Sequence, residues 1–186
     1  MRTLIARVFD TSADGVVADD EGEFFDFCRD LPDDPALIAR TRSLYSGADL
    51  HLYGRNTYQG AASYFPTATD HPYADLINAS RKVVFSQTLD DPGWGNTVVN
   101  RGDLAQEVGR LKQDGTGHLV AHGGFAFWQS LIRLDLIDEF RLTVFPYVVG
   151  DGRRLFDCLE KPRRLDLVSS TNFNNGIVEL QYRRPR

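Results

Sequence analysis

The sequence predicts an α/β fold, a mixed central sheet flanked by helices, on three observations. Short runs rich in Val, Leu and aromatic residues alternate with longer segments of helical spacing, strand candidates end repeatedly in Gly, Asn or Ser, and the last third of the chain gives up the alternation for extended runs. Strand followed by helix, repeated, builds a sheet with helices packed on its faces, and extended runs added late make one end antiparallel.

Taken in order, "TLIARVF" (3–9) is the first strand candidate and "GEFFDFCRDLPDD" (22–34) the first helical region. "DPALIARTRSLYSG" (34–47) sets Leu37, Ile38, Thr41, Leu44 and Tyr45 at helical spacing, with Gly47 as a stop. "DLHLYG" (49–54), "KVVFS" (82–86), "TVVN" (97–100) and "GHLVAHGG" (117–124) are strands; Pro66 to Pro72 is loop and Asp90 to Gly95 a turn-rich connection. "GDLAQEVGRLKQDG" (102–115) carries Leu104, Val108 and Leu111 on one helical face, with Asp103 as N-cap and Gly115 as the close. "FAFWQSLIRLDLID" (125–138) offers Phe127, Leu131 and Leu134 in the same way. The runs 139–150, 163–173 and 176–184 are extended, and Asn174-Asn175-Gly176 predicts a hairpin between the last two. With no repeat and no linker, residues 1–186 form one domain.

Composition narrows the function. The chain has 186 residues, 42% of them apolar and 25% charged, which suits a globular protein with a core of its own. A net charge of −5 argues against nucleic-acid binding, which rests on clustered Lys and Arg; Arg153-Arg154, Arg163-Arg164 and Arg183-Arg184 read as solvated edges. No run approaches the roughly 20 apolar residues of a membrane helix. "MRTLIARVFD" reaches Asp10 without the apolar core of a signal peptide, so a cytoplasmic protein is expected. Cys28 and Cys158 have no partner at ligand spacing and read as reduced thiols, not as part of a metal site.

Three strand-to-helix corners carry the chemistry. At "AHGGFAFW" (121–128) two glycines stand between a strand and a helix, where they serve either a tight turn or a ligand approaching the backbone. At "YGRNTYQG" (53–60), Gly54, Arg55, Asn56 and Thr57 occupy a second corner suited to a phosphate. "KVVFSQTL" (82–89) makes a third with Ser86, Gln87 and Thr88. His122 reads as a hydrogen-bonded structural group more readily than as a proton donor, His51 likewise, and Phe127 and Trp128 as packing. No nucleophile has an obvious base, so covalent catalysis is unsupported.

Those corners, with "TSADGVVAD" (11–19) and above all "LIRLDLIDEFRLTVFPYVVGDGRRLF" (131–156), resemble the dihydrofolate-reductase-like family that includes the reductase domain of the riboflavin-pathway deaminase-reductase. The likeness runs in order over nearly the whole chain. It implies a dihydrofolate-reductase-like sheet, mostly parallel with late antiparallel strands. It also implies NADPH as cofactor and hydride transfer to a small heterocycle of pteridine, pyrimidine or riboflavin-precursor type, as in 5-amino-6-(5-phosphoribosylamino)uracil reductases. Hydride transfer of this kind needs no metal.

By the same resemblance Gly54, Arg55, Asn56 and Thr57 form the cofactor-phosphate corner, and Ser86 and Gln87 the turn near the adenosine ribose. Gly123 and Gly124, between His122 and Phe125, are the glycine pair beneath the pyrophosphate, with a cis peptide as an implied feature. Asp14 and Gly15 belong to the loop over the nicotinamide. Gln87 stands where the family often shows an Arg for the 2′-phosphate, which leaves Arg55, Arg81 or Arg101 for that task. The substrate-side acid falls among Glu23, Asp26, Asp30, Asp33 and Asp34; Asp26, between Phe25 and Phe27, is the choice. A nucleotide-binding member without catalysis is the second reading, and a dihydrofolate reductase the third. A homodimer is expected through the late strands, with Phe145, Tyr147 and Val149 as its apolar face.

Overall fold

The computed structural model describes residues 1–185. Its strands are β1 (Leu4–Ser12), β2 (Val16–Ala18), β3 (Ala48–Gly54), β4 (Lys82–Phe85), β5 (Thr97–Asn100), β6 (His118–Ala121), β7 (Glu139–Phe145), β8 (Arg153–Arg154), β9 (Asp166–Asn172) and β10 (Val178–Arg183). The helices are α1 (Glu23–Asp30), α2 (Pro35–Ser46), α3 (Arg55–Tyr64), α4 (Ala74–Ala79), α5 (Leu104–Gln113) and α6 (Phe125–Arg133). Eight strands form one sheet in the order β5-β4-β3-β6-β1-β7-β10-β9, and β2 pairs separately with β8. Every pair from β5 across to β7 is parallel; β10 is antiparallel to both β7 and β9. This is the mostly parallel, dihydrofolate-reductase-like sheet with antiparallel strands at one end that the sequence implied.

Alternation along β1 fixes which helices cover which face. Leu4, Ala6 and Val8 are fully buried on one side with Val108 and Leu111 of α5 and Leu131 of α6. Ile5 points the other way, into a cluster with Leu44 and Tyr45 of α2, Tyr53 and Trp94. The helix ends follow their caps: Asp34 accepts from the amides of Ala36 and Leu37 at the start of α2, and Asp103 from Gln106 at the start of α5.

Beneath α2 the packing becomes ionic. Glu179 of β10 is almost fully buried and is bonded by Arg40; Arg7 of β1, equally buried, lies 3.9 Å from it and also reaches the hydroxyls of Thr143 and Thr41. Arg7 in turn lies under the ring of Phe9, 4.4 Å from its centre.

Several expectations need correction. The helix after Gly124 stops at Arg133, because Asp135 turns to a positive φ of 54°; Leu134 is 48% exposed, and Ile132 takes the core position instead. The strand expected over 139–150 ends at Phe145, since Pro146 has no amide to donate. Phe145, Tyr147 and Val149 are no free apolar face: they pack on α1, where Phe27 stacks on Tyr147 at 4.4 Å and Phe24 meets Phe145 edge-on. The hairpin between β9 and β10 forms at residues 174–176, with Gly176 at a φ of +83°. It is anchored by Asp34, which accepts from the Asn174 amide. Among the described residues no helix is long and apolar enough to cross a membrane.

Glu179→Ala would leave Arg7 buried without its carboxylate. Breaking a buried pair in this way costs about 3–5 kcal/mol, so the urea midpoint should fall steeply; a fall of less than about 1 kcal/mol, within the range of exposed pairs, would contradict the ionic account.

Candidate functional site

The carboxyl ends of β3 and β6 meet without side chains between them. The amide of Gly54, last residue of β3, donates to the carbonyl of Gly123 just beyond β6 at 3.2 Å. A Cβ on Gly54 would sit 2.7 Å from Cβ of Phe127, and one on Gly124 would sit 2.7 Å from the hydroxyl of Thr57. Only glycine allows either approach. Gly123 has a φ of +86°, and its peptide bond to Gly124 is cis. Two strand-to-helix corners are thereby locked side by side.

Each corner opens a helix that no side chain caps. Gly54 is the N-cap of α3 and Gly124 that of α6, and neither helix has a capping side chain, in contrast to α2 and α5 with their aspartates. The first-turn amides of both helices therefore keep hydrogen-bonding capacity and partial positive charge for something outside the helix. They border one groove of about 560 Å³, walled by Gly54, Arg55, Asn56 and Thr57 on one side and by Gly124, Phe125 and Ser130 on the other. Arg55 and Arg153 supply its charge, Arg153 also lying 3.4 Å from Asp20, and no carboxylate among the described residues lines it. Arg55 is steadied by the hydroxyl of Thr88 at 2.6 Å, which ties the third corner to the second.

Arg153 belongs to a pair read from sequence as a solvated edge. Its guanidinium pairs with Asp20, while Asp14 lies 3.8 Å from Arg154 and holds the segment before β8. The Asp14 carboxylate accepts from the hydroxyl of Ser12 and from the amides of Val149 and Gly150, contacts that hold its pKa down to about 2. The β1–β2 turn, in which Gly15 has a φ of +85°, is thus tied to the segment leading into β8. Asp14 and Gly15 shape the rim without lining the groove.

The other expected residues fall into two groups. Ser86 accepts from the amides of Thr88 and Leu89, and Gln87 donates to the Arg101 carbonyl at 2.9 Å, so both build the turn after β4 beside the groove wall at Phe85. Arg101 is there too, bonded to the Leu89 carbonyl, whereas Arg81 precedes β4 at the opposite end of the sheet. His122 does not face the groove. Its ring stacks between His51 and Tyr53 at 4.8 and 4.7 Å on the α2 face, 2.6 Å from Nδ1 of His51, and enclosure lowers its pKa well below the ordinary value. It is neutral and structural. Asp26 is also misplaced as the acid: it lies on the outer face of α1, 62% exposed and 2.7 Å from Arg29, because the aromatics of α1 take the inner face.

A second cavity, again about 560 Å³, opens on the α2 side of the sheet. Phe9, Thr41, Tyr64, His71 and Tyr73 line it, and of the five acids considered from sequence Asp33 and Asp34 reach it. Asp10 lies in the carboxyl-terminal part of β1, where the register with β7 shifts between Val8 and Thr11. Burial pushes its pKa up to about 6, against the pull of the Arg7 charge and a hydrogen bond from Cys28. Asp10 is not among the lining residues, but two of its neighbours are: Phe9, next to it in β1, and Cys28, its hydrogen-bond partner. The same burial, together with the Asp10 charge, raises the Cys28 pKa and keeps that thiol protonated. The sequence signal for Asp10 was its place as a carboxylate ending a buried strand, a position read only as a boundary.

The profile of the RibD C-terminal domain matches residues 2–179, and the chain belongs to that family. It is 30% identical over 138 residues to the uncharacterized protein YyaP of Bacillus subtilis, covering 72% of this chain and 73% of that one. A putative riboflavin biosynthesis protein from a Shewanella species superposes with a TM-score of 0.77 at 26% identity, each chain covered in full. Dihydrofolate reductase from Enterococcus faecalis, solved in complex with NADP(H) and RAB-propyl, shares the fold at a TM-score of 0.63 and 14% identity, over 99% of this chain and 97% of that one.

The raised Asp10 pKa has a thermodynamic consequence. Unfolded Asp10 ionises near 3.8 and folded Asp10 near 6, so folding stability should fall as pH rises between those values, by up to ~3 kcal/mol at about 1.4 kcal/mol per pKa unit. Asp10→Asn removes that slope. Denaturant unfolding at several pH values from 4 to 7 checks it; parallel curves for the two proteins would contradict the assignment.

Proposed function

We propose that this protein is an NADPH-dependent reductase acting on a small heterocycle, with the cofactor in the glycine-walled groove and the substrate in the cleft beside Asp10. The observation that carries the reading is the pair of uncapped helix N-termini bordering one groove that contains two arginines and no acid. Such a site fits the pyrophosphate of a dinucleotide: main-chain amides and helix dipoles stabilise the anion, and glycines let it approach the backbone.

Within this reading the first-turn amides at Arg55, Asn56 and Thr57 and at Phe125 and Ala126 hold phosphate oxygens. Arg55 and Arg153 add charge-assisted bonds. Gly123 and Gly124 bring the chain close beneath the cofactor. The turn at Ser86 and Gln87 faces the adenosine end, where Arg55 and Arg101 are the cations available to a 2′-phosphate. The chemistry supplied by the bound nicotinamide is hydride donation. Asp10 serves the other half of the reduction: protonated up to about pH 6 by its burial, it donates a proton to the substrate nitrogen as that carbon accepts hydride, and ends as carboxylate beside Arg7. Asp10 takes over the role first given to Asp26.

Titration with NADPH and with NADH, followed by nicotinamide fluorescence, tests the groove. NADPH should bind more tightly, Arg55→Ala should weaken it by about tenfold or more, the worth of a lost charge-assisted bond, and Gly124→Ala should weaken it further by driving a Cβ against Thr57. Binding of neither nucleotide, or binding indifferent to both substitutions, sinks the proposal. For catalysis, Asp10→Asn should lower kcat by roughly 10²–10⁴-fold, the usual worth of general acid catalysis, with nucleotide affinity unchanged; a kcat within a few-fold of the parent would remove Asp10 from the mechanism.

A further inference from the structure

We infer that an apolar pocket at the carboxyl end of α6, separate from the groove and the cleft, binds a small monocarboxylate with a compact hydrophobic body. The inference is independent of the reductase reading. The groove lies at the amino end of α6 and this pocket at the other, along a helix about 13 Å long.

The pocket has a volume of about 200 Å³. Ile132 of α6, with Ile137 and Phe140 at the start of β7, contributes buried core side chains to its wall. Phe156, Leu159 and Leu165 come from the segment between β8 and β9, and Phe156 meets Phe140 edge-on with ring centres 5.4 Å apart. Six apolar side chains thus surround a space smaller than the roughly 300–1,000 Å³ of sites for drug-sized ligands. An occupant must be compact, and its inner part must be hydrophobic.

The rest of the lining is charged: Arg163, Arg164 and Arg184 against Asp135. Asp135 is shared, since Arg163 reaches its carboxylate at 3.0 Å and Arg184 at 2.8 Å. Both arginines also bond carbonyls where α6 ends, Arg163 that of Ile132 and Arg184 that of Asp135. Arg184 extends to Asp138, which Lys112 already neutralises, and Arg164 lies 3.2 Å from Asp166. Among these groups four cations face three acids, so one negative charge is missing. Exposed ion pairs are weak and exchange partners readily, at this rim as for Arg153 and Asp20 at the groove. Among the described residues Arg163 donates through Nη1 alone, which leaves Nε and Nη2 for another acceptor. A carboxylate at the mouth can take that unused edge of the guanidinium while its hydrocarbon body fills the pocket.

Three matched probes test this: phenylpropionate, phenylpropanol and phenylpropylammonium, titrated into the whole protein at low salt and followed by methyl NMR. Phenylpropionate should shift the methyls of Ile132, Ile137, Leu159 and Leu165 and bind at least about tenfold more tightly than the alcohol, the worth of a charge-assisted hydrogen bond. The ammonium compound should bind most weakly. Arg163→Gln with Arg164→Gln should bring acid and alcohol within about twofold of each other, as loss of complementary charge requires. Leu159→Trp, which fills the space, should abolish binding of all three, with the dispersion of the methyl spectrum showing that the protein is folded. Equal binding of the alcohol, a preference that survives the arginine substitutions, shifts centred on other methyls, or no binding of phenylpropionate overturns the inference. Full affinity in Leu159→Trp overturns it too, as does movement of the same methyls with protein concentration alone, which would make the pocket a contact between two copies of the chain.

Discussion

The site depends on a contact that side chains would forbid. Gly54 and Gly124 let the ends of β3 and β6 come together so closely that a methyl group at either position would collide with Phe127 or Thr57. Because each of those strands runs straight into a helix, bringing the strand ends together also brings two helix N-termini together. Their dipoles and free amides then act on the same volume. An aspartate or serine cap on either helix would have stabilised that helix by about 1 kcal/mol; the chain leaves both ends without one.

Around that contact the charges are arranged in opposition. Arginines flank the groove and carboxylates line the cleft on the α2 side, with Arg7 buried near Asp10. The Arg7–Glu179–Arg40 cluster holds α2 against the antiparallel end of the sheet, and α2 forms one wall of the cleft. Asp14 plays a comparable part for the groove, fixing the segment that delivers Arg153. Both devices act at a distance from any ligand, through backbone position.

The sheet was legible because its strands alternate and end in recognisable stops, and the corners at 54–57 and 122–125 were legible because glycine at the end of an apolar run has few structural excuses. The elements left unread were too short to show a period: α4 has six residues, and β2 and β8 pair over only a few positions. The acid was misread for a different reason. Asp26 among aromatics looks enclosed in one dimension, but successive residues on a helix point in different directions, so Phe24 and Phe27 go inward and Asp26 outward. Asp10 looks like the end of a strand, and only the structure shows the bulge between Val8 and Thr11 and the neighbouring Cys28 that leave its carboxyl partly enclosed. Phe145 likewise looked free for a partner because the sequence does not announce that α1 folds back over it. Arg153, half of a surface-looking pair, reaches the groove through the pairing of β8 with β2, and lies between Asp20 and the ring of Phe125.

Amide hydrogen exchange with and without NADPH tests the central claim most directly, since the claim is about main-chain N–H groups. Slowed exchange concentrated at residues 55–57 and 125–127, with little change along α2 and α5, is the predicted pattern. Protection confined to other segments, or none at saturating nucleotide, would show that the two open helix ends do not hold the cofactor.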